Sequence, residues 1–290
     1  MQNVRDCSAE MLVRLLATST KTLVLTGAGI SAEAGLSTFR GTGARWQGVD
    51  PASLATPRAF ASTPDLAWSF YQGRRAKLAQ AAPTIAHGLL RGLWSPLPVL
   101  GGGDSAADEA CRVAFAWRCR QTRVRPISIV TQNVDGLHGP ATDGADAVGA
   151  VSRGDPVLLQ LHGALAWDRC SSATCGHRQP ASSDEAAPLR TCPSCHRAPL
   201  RPDVVWFGES LDSRVLDAAE AVAREADLVL IIGTSGVVYP AAGLSAIAKR
   251  SGTPAVSVEI NPDGGGGDYV VRRPASEFLA EVVAVMRAAR

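Results

Sequence analysis

Cys170, Cys175, Cys192 and Cys195 fall in one short stretch, with four residues between the first two, two between the last two and sixteen between the pairs. Paired spacing of this kind suits tetrahedral thiolate ligation of zinc, and four protein ligands would leave no open position for activated water. The metal would then be structural. His177 and His196 stand near enough in sequence to replace a cysteine in that set. A second group is the run Thr26-Gly27-Ala28-Gly29-Ile30-Ser31-Ala32-Glu33-Ala34-Gly35, whose small residues let backbone amides approach a diphosphate where a helix start favours negative charge. The third glycine of the usual dinucleotide fingerprint comes late, at Gly35, and no acidic residue closes a second strand about 20 residues on, so a plain dehydrogenase is disfavoured. A glycine turn serving only strand-to-helix packing is the alternative. A third group follows two apolar runs: Gln132, Asn133, Asp135 and His138 after one, and Leu161-His162-Gly163 after the next. Amides and a carboxylate can grip a carboxamide, and an imidazole can act as a base near neutral pH. Each residue singly also reads as a turn, a cap or a hydrogen-bonded structural histidine. Finally, Tyr71 and Arg74 share one face of a helix-like segment, where phenol and guanidinium can clamp a carboxylate or simply border a solvated helix surface.

These groups need elements to position them. Thr22 to Thr26, Ile127 to Thr131, Leu228 to Ile232 and Pro254 to Ile260 read as buried parallel strands, with helix-like segments such as Glu10 to Leu16 and Leu216 to Glu225 before and between them. That alternation predicts an α/β fold, a Rossmann-like doubly wound parallel sheet, with ligands beyond the carboxyl ends of its strands. A second, smaller zinc-binding lobe is expected from residues 41–88 and 167–201, leaving 1–40, 89–166 and 202–290 to the large lobe. The stretches 96–108 and 139–154, and the run Gly264 to Gly267, read as flexible surface insertions.

Composition sets the limits. The chain has 290 residues, 46% hydrophobic and 19% charged, enough for a real core and unlike a highly charged disordered chain. A balance of 29 basic and 27 acidic residues gives no net pull toward nucleic acid or an anionic membrane. Seven cysteines is an odd count, against a fully paired secreted framework. No spanning apolar stretch and no charged-then-apolar leader is present, so the chain reads as intracellular and unprocessed, in the cytoplasm or the mitochondrial matrix, and as a monomer.

Together the motifs resemble the sirtuins, NAD-dependent protein-lysine deacylases. The likeness runs through Gly27-Ala28-Gly29-Ile30-Ser31, Thr38-Phe39-Arg40-Gly41, Thr131-Gln132-Asn133-Val134-Asp135-Gly136-Leu137-His138, Leu161-His162-Gly163, the cysteine quartet, Val205-Trp206-Phe207-Gly208-Glu209 and Gly233-Thr234-Ser235. The resemblance implies two lobes with NAD and an acyl-lysine meeting between them. It implies NAD contacts from Gly27, Ala28, Gly29, Phe39, Arg40, Trp46 and Gln132, carboxamide recognition by Asn133 and Asp135, phosphate and adenosine contacts from Gly233, Thr234 and Ser235, and an adenine-ribose contact from Asn261. His162 would be the general base, helping a ribose hydroxyl attack the imidate formed as nicotinamide leaves, with O-acyl-ADP-ribose as product. Val205, Phe207 and Gly208, with Gly236 to Tyr239, would sandwich the substrate peptide as an added strand.

Within the family, Tyr71 and Arg74 resemble the acyl-carboxylate pair of the class III, sirtuin-5-like branch, and Ala55 resembles its small residue that admits a longer acyl chain. The resemblance thus implies removal of succinyl, malonyl and glutaryl groups. Deacetylation or ADP-ribosyl transfer is the rival within the family, and a noncatalytic NAD-binding or zinc-stabilised module is the rival outside it. Two positions depart from the family pattern: Ser37 stands where proline is usual, and the first cysteine pair is more widely spaced than is common.

Overall fold

The computed structural model describes residues 4–37, 45–95, 103–121, 126–142, 144–234, 236–251, 255–263 and 267–289. In chain order the first half holds β1 (Arg5–Asp6), α1 (Ala9–Thr18), β2 (Thr22–Thr26), α2 (Gly29–Ala32), α3 (Pro51–Leu54), α4 (Pro57–Ser62), α5 (Pro64–Gln80), α6 (Ile85–Trp94), α7 (Ala106–Arg120), β3 (Ser128–Thr131), α8 (Gly144–Arg153) and β4 (Leu158–Gln160). The second half holds β5 (Gly163–Cys170), β6 (Arg178–Pro180), β7 (Leu200–Val204), α9 (Ser213–Glu225), β8 (Leu228–Ile232), α10 (Leu244–Arg250), β9 (Val256–Ile260), β10 (Tyr269–Val271) and α11 (Ala275–Ala288).

Seven strands form one parallel sheet in the order β1-β10-β9-β8-β2-β3-β4. Its strands are apolar on both faces because helices cover both. Leu23 and Leu25 of β2 pack with Val130, Leu159 and Val229 and the small residues of α8, α9 and α10. Val24, between them, points the other way into a core with Leu12, Leu90, Trp117, Phe278 and Val282 from α1, α6, α7 and α11. The period of two along a strand thus divides one short run between two cores.

From β2 the chain builds outward through β3 and β4 on one side, and β8, β9 and β10 lie on the other. The topological switch point is therefore between β2 and β8, where a crevice opens beyond the strand ends. Those ends lie in line, with Thr26 opposite Thr131 and Ile232, Thr131 opposite Gln160, and Ile232 opposite Ile260. Consequently Gly27, Gln132, Gly233 and Asn261 each emerge into the same crevice, and His162 emerges two residues past β4.

The small lobe combines α3, α4 and α5 with an antiparallel sheet of three strands in the order β6-β5-β7. Its core gathers Leu54, Phe60, Phe70, Tyr71, Leu165, Val204 and Trp206. The expected boundary at residue 88 falls inside α6, whose Ala86, Leu89, Leu90 and Leu93 all pack in the large core. The sheet of the small lobe likewise begins at Gly163 and ends at Val204, a few residues outside the expected 167–201.

The stretch 139–154 is not a flexible insertion. It contains α8, the crossover between β3 and β4, which buries Ala147 and Ala150 in the core with Val151 packed against it. Its glycines and alanines disguise an amphipathic helix whose buried residues recur at spacings of three and four. Of the stretch 96–108, residues 96–102 lie outside the described residues, and the last three residues form the start of α7, capped by the Ser105 hydroxyl.

Candidate active site

The base candidate is fixed by a backbone carbonyl. His162 Nδ1 lies 2.9 Å from the carbonyl oxygen of Gln132, an atom that only accepts, so Nδ1 carries the proton and Nε2 keeps its lone pair. Burial holds the pKa of His162 below the ordinary 6.5, with the Gln132 bond acting in the opposite direction, and the ring is neutral at neutral pH. The carbonyl of His162 accepts from the N–H of Val205 at 2.9 Å, joining the base to the candidate substrate strand. Gly163 must be glycine here: its φ is +77°, and a Cβ would sit 2.2 Å from the carbonyl oxygen of Asp203.

Beside the base, a polar cluster lines the floor. Asn133 Nδ2 donates to the Gly27 carbonyl and to the Ser31 hydroxyl, each at 3.1 Å. Ser31 Oγ donates to Asp135 Oδ2 at 2.8 Å, and Asp135 Oδ1 accepts from Leu137 N at 2.9 Å. Beneath lie two buried imidazoles, His87 with Nε2 3.4 Å from Ser31 Oγ, and His138 with Nε2 2.9 Å from Thr26 Oγ1. The carboxyl of Asp135 is pushed up by burial and drawn back by its hydrogen bonds and by the charge of Arg74.

The glycines serve packing as well as access. A Cβ on Gly29 would lie 2.7 Å from Gly233 Cα, and one on Gly233, at φ +61°, would lie 2.5 Å from Ile30 N. The loops after β2 and β8 therefore touch backbone to backbone. The Gly29 N–H donates to the Gly233 carbonyl at 2.8 Å, and α2 is a single turn with little macrodipole to offer an anion. Close backbone approach, rather than a long helix, is what this loop offers a diphosphate. Gln132 Nε2 donates to Thr234 Oγ1 at 3.0 Å and Asn261 Nδ2 to the Thr234 carbonyl at 2.9 Å, tying the neighbouring strand ends together.

Tyr71 and Arg74 of α5 line the same cleft. The Tyr71 hydroxyl accepts from the Trp206 indole N–H at 2.9 Å, and burial pushes its pKa up to about 12, so it keeps its proton. Arg74 donates to the Ser37 carbonyl at 3.3 Å and lies near the Phe70 ring, its pKa lowered by burial and supported by Tyr71 and Asp135. Ala55 is buried against this pocket, and its carbonyl accepts from Phe207 N at 2.9 Å.

The base candidate, the floor, the glycine loops and the Tyr71–Arg74 wall belong to one cleft of about 1210 Å³, lined by Gly27, Ala28, Gly29, Trp46, Ala55, Tyr71, Arg74, Gln132, Asn133, Asp135, His162, Val205, Phe207, Gly208, Gly233, Thr234 and Asn261. Phe39, Arg40 and Ser235 lie outside the described residues. Sequence reasoning missed Ser31 and Trp206 as lining of this cleft, and His87 as the buried ring behind Ser31. Ser31 and Trp206 lie within recognised motifs, so their types were the available signal, whereas nothing local marks His87.

The cysteine quartet lies apart from the cleft. All four sulfurs are within 4.8 Å of one another, with Cys170 to Cys195 at 3.6 Å and Cys175 to Cys192 at 3.8 Å. Tetrahedral Zn–S bonds of about 2.3 Å place sulfurs about 3.8 Å apart, so the donor set fits zinc despite the wide first pair. The histidines are not needed: His177 Nε2 pairs with Gln179 at 3.0 Å, and His196 is exposed.

A parallel sheet with its crevice at the switch point, bordered by a lobe holding four thiolates, defines a Rossmann-type dinucleotide-binding protein with a structural zinc module. Residues 27–96 and 115–240 match the Sir2 family. The chain is 37% identical over 275 residues to an NAD-dependent protein deacylase of Aeropyrum pernix, covering 94% of this chain and 95% of that one. A solved Sir2 homologue–NAD complex is 33% identical with a TM-score of 0.75, covering 99% of this chain and 97% of the other. A substituted Sir2 homologue bound to 2'-O-acetyl-ADP-ribose is 35% identical with a TM-score of 0.74, over 97% of each chain. The chain belongs to the Sir2 family, the sirtuins. NAD is the family's co-substrate, and the four cysteines form a donor set that fits a structural zinc ion.

Proposed function

We propose that this protein uses NAD to remove acidic acyl groups, succinyl and malonyl above all, from protein lysines. At the level of class it is an NAD-dependent protein deacylase of the sirtuin family. NAD, when bound, supplies an electrophilic ribose carbon and nicotinamide as leaving group. The residues of the chain supply the rest. His162 accepts a proton at Nε2, its Nδ1–H held by Gln132 in the tautomer that leaves Nε2 basic. Asn133 and Asp135, fixed by Ser31, offer an amide and a carboxyl to a carboxamide. Val205, Phe207 and Gly208 present backbone to an extended peptide.

The acidic-acyl reading is carried by one observation: a phenol and a guanidinium stand together at the wall of the cleft that also holds His162. A planar guanidinium and a neutral hydroxyl suit a terminal carboxylate. An acetyl group carries no carboxylate for them to meet, so the pair adds nothing to its binding. No described helix is long and apolar enough to cross a membrane.

The test compares kcat/KM for acetyl, malonyl, succinyl and glutaryl forms of one peptide. Succinyl and malonyl should exceed acetyl, and Arg74→Met should reduce that preference by roughly ten- to hundredfold, the worth of one charge-assisted hydrogen-bonded pair. A wild-type enzyme that favours acetyl would return the protein to plain deacetylation.

A further inference from the structure

Tyr71 can hold an incoming carboxylate only if its hydroxyl hydrogen is directed at it, and a phenol rotor left to itself points wherever the nearest acceptor lies. In this structure one side of that oxygen is already occupied. The Trp206 indole N–H, which can only donate, reaches the Tyr71 oxygen at 2.9 Å, and among the described residues this is the hydrogen bond the hydroxyl makes. The oxygen is thereby an acceptor toward Trp206, and its hydrogen is left for the cleft.

The indole is itself held unusually firmly. Arg201 lies over the Trp206 ring with 3.4 Å from guanidinium carbon to ring centroid. The same guanidinium pairs with both oxygens of Glu209, at 2.5 and 2.8 Å, and Glu209 Oε2 accepts from the Trp206 backbone N–H at 2.8 Å. One ion pair therefore fixes both the ring and the backbone of Trp206, which is buried among Phe60, Tyr71 and Val204.

We infer that Trp206 is a positioning residue for acyl choice: held by the Arg201–Glu209 pair, its indole N–H occupies the acceptor side of Tyr71 and turns the phenol hydrogen toward the carboxylate of the acyl-lysine. This rests on the acidic-acyl reading above. It assigns selectivity to a residue that needs no contact with the acyl carboxylate, and it ties selectivity to the substrate strand, because Val205 and Phe207 flank the same indole.

A double-mutant cycle in the zinc-loaded full chain tests it, using succinyl and acetyl forms of one peptide. Trp206→Phe should lower the succinyl-to-acetyl ratio of kcat/KM about tenfold, mainly through KM for the succinyl peptide. Tyr71→Phe should lower it at least as much, and Trp206→Phe added to Tyr71→Phe should lower it by less than about twofold further, because the relay is already broken. Benzothienylalanine at position 206, which replaces the N–H by sulfur and keeps the bicyclic shape, should reproduce the effect and covers the case in which the phenylalanine variant fails to fold. A ratio untouched by loss of the N–H, or losses that multiply in the double variant, would overturn the assignment while leaving acidic-acyl preference standing. A wild-type enzyme without that preference overturns both.

Discussion

At the scale of single residues, His162 is set up by a bond it does not use in chemistry. The Gln132 carbonyl fixes the tautomer, and burial pulls the pKa below 6.5, so the basic form persists into mildly acidic solution. The sign follows: protonation removes the base, and the rate is lost only as pH falls through the depressed value. The acid limb of the kcat/KM profile for an acyl peptide should therefore inflect below pH 6.5, and His162→Ala should remove turnover on every acyl form while the melting temperature stays within a few degrees of wild type. A profile inflecting above 6.5, or a His162→Ala enzyme that still turns over, would count against this base. The place of His162 in the cleft was legible in the sequence because Leu161-His162-Gly163 follows directly on the apolar run of β4. The Trp206–Tyr71 bond was not, because its partners are 135 residues apart and neither side chain announces the other.

At the scale of elements, α5 is held by the zinc-bearing segment. Trp68 Nε1 donates to the Ala187 carbonyl and Gln72 Nε2 to the Asp184 carbonyl, each at 2.8 Å. Arg75, next to Arg74, is buried with Asp168 of β5 at 2.6 Å, and its remaining donors reach the Leu165 and Trp167 carbonyls and Gln72. Breaking such a pair by removing one partner costs far more than the pair contributes against an apolar replacement, so it acts as a register pin for the helix. Stripping the metal with a chelator should therefore loosen α5, raising KM for a succinyl peptide more than for its acetyl form, with steady-state kinetics before and after zinc restoration as the measurement. Equal changes on both peptides would place the zinc module outside acyl selection. Strands were the easiest elements to read, since Thr22–Thr26 and Leu228–Ile232 are apolar on both faces. The helix α8 escaped because Gly144, Gly149 and its alanines weaken the apolar stripe that its packing nevertheless uses.

At the scale of the whole molecule, the large lobe hides two neutral imidazoles under the cleft. Burial pushes His87 down to about 4 and holds His138 well below its ordinary 6.5, with His87 adding to the effect on His138. Above 6.5 both folded and unfolded chains carry these rings neutral, and nothing is lost. Below it the unfolded chain binds protons that the folded chain refuses, so stability declines from pH 6.5 toward 4, by about 3 kcal/mol for a ring shifted as far as His87. Melting temperature should fall across that interval, and His87→Asn should flatten the slope; a flat curve for the natural chain would show the rings titrating freely. The division into lobes was readable from the cysteine spacing and the strand runs. Its boundaries were not, because α6 contributes its apolar face to a core assembled from both ends of the chain.

The strand β5 begins one residue after the imidazole and finishes on a thiolate, running from Gly163 to Cys170. Its length is therefore a ruler between reactivity and scaffold. Removing Arg169 from its regularly paired end, Asp168–Cys170, would turn Cys170 to the opposite face and pull it away from its three companions. Natural variation in this span should accordingly rewrite letters freely on the outward side and never alter their number.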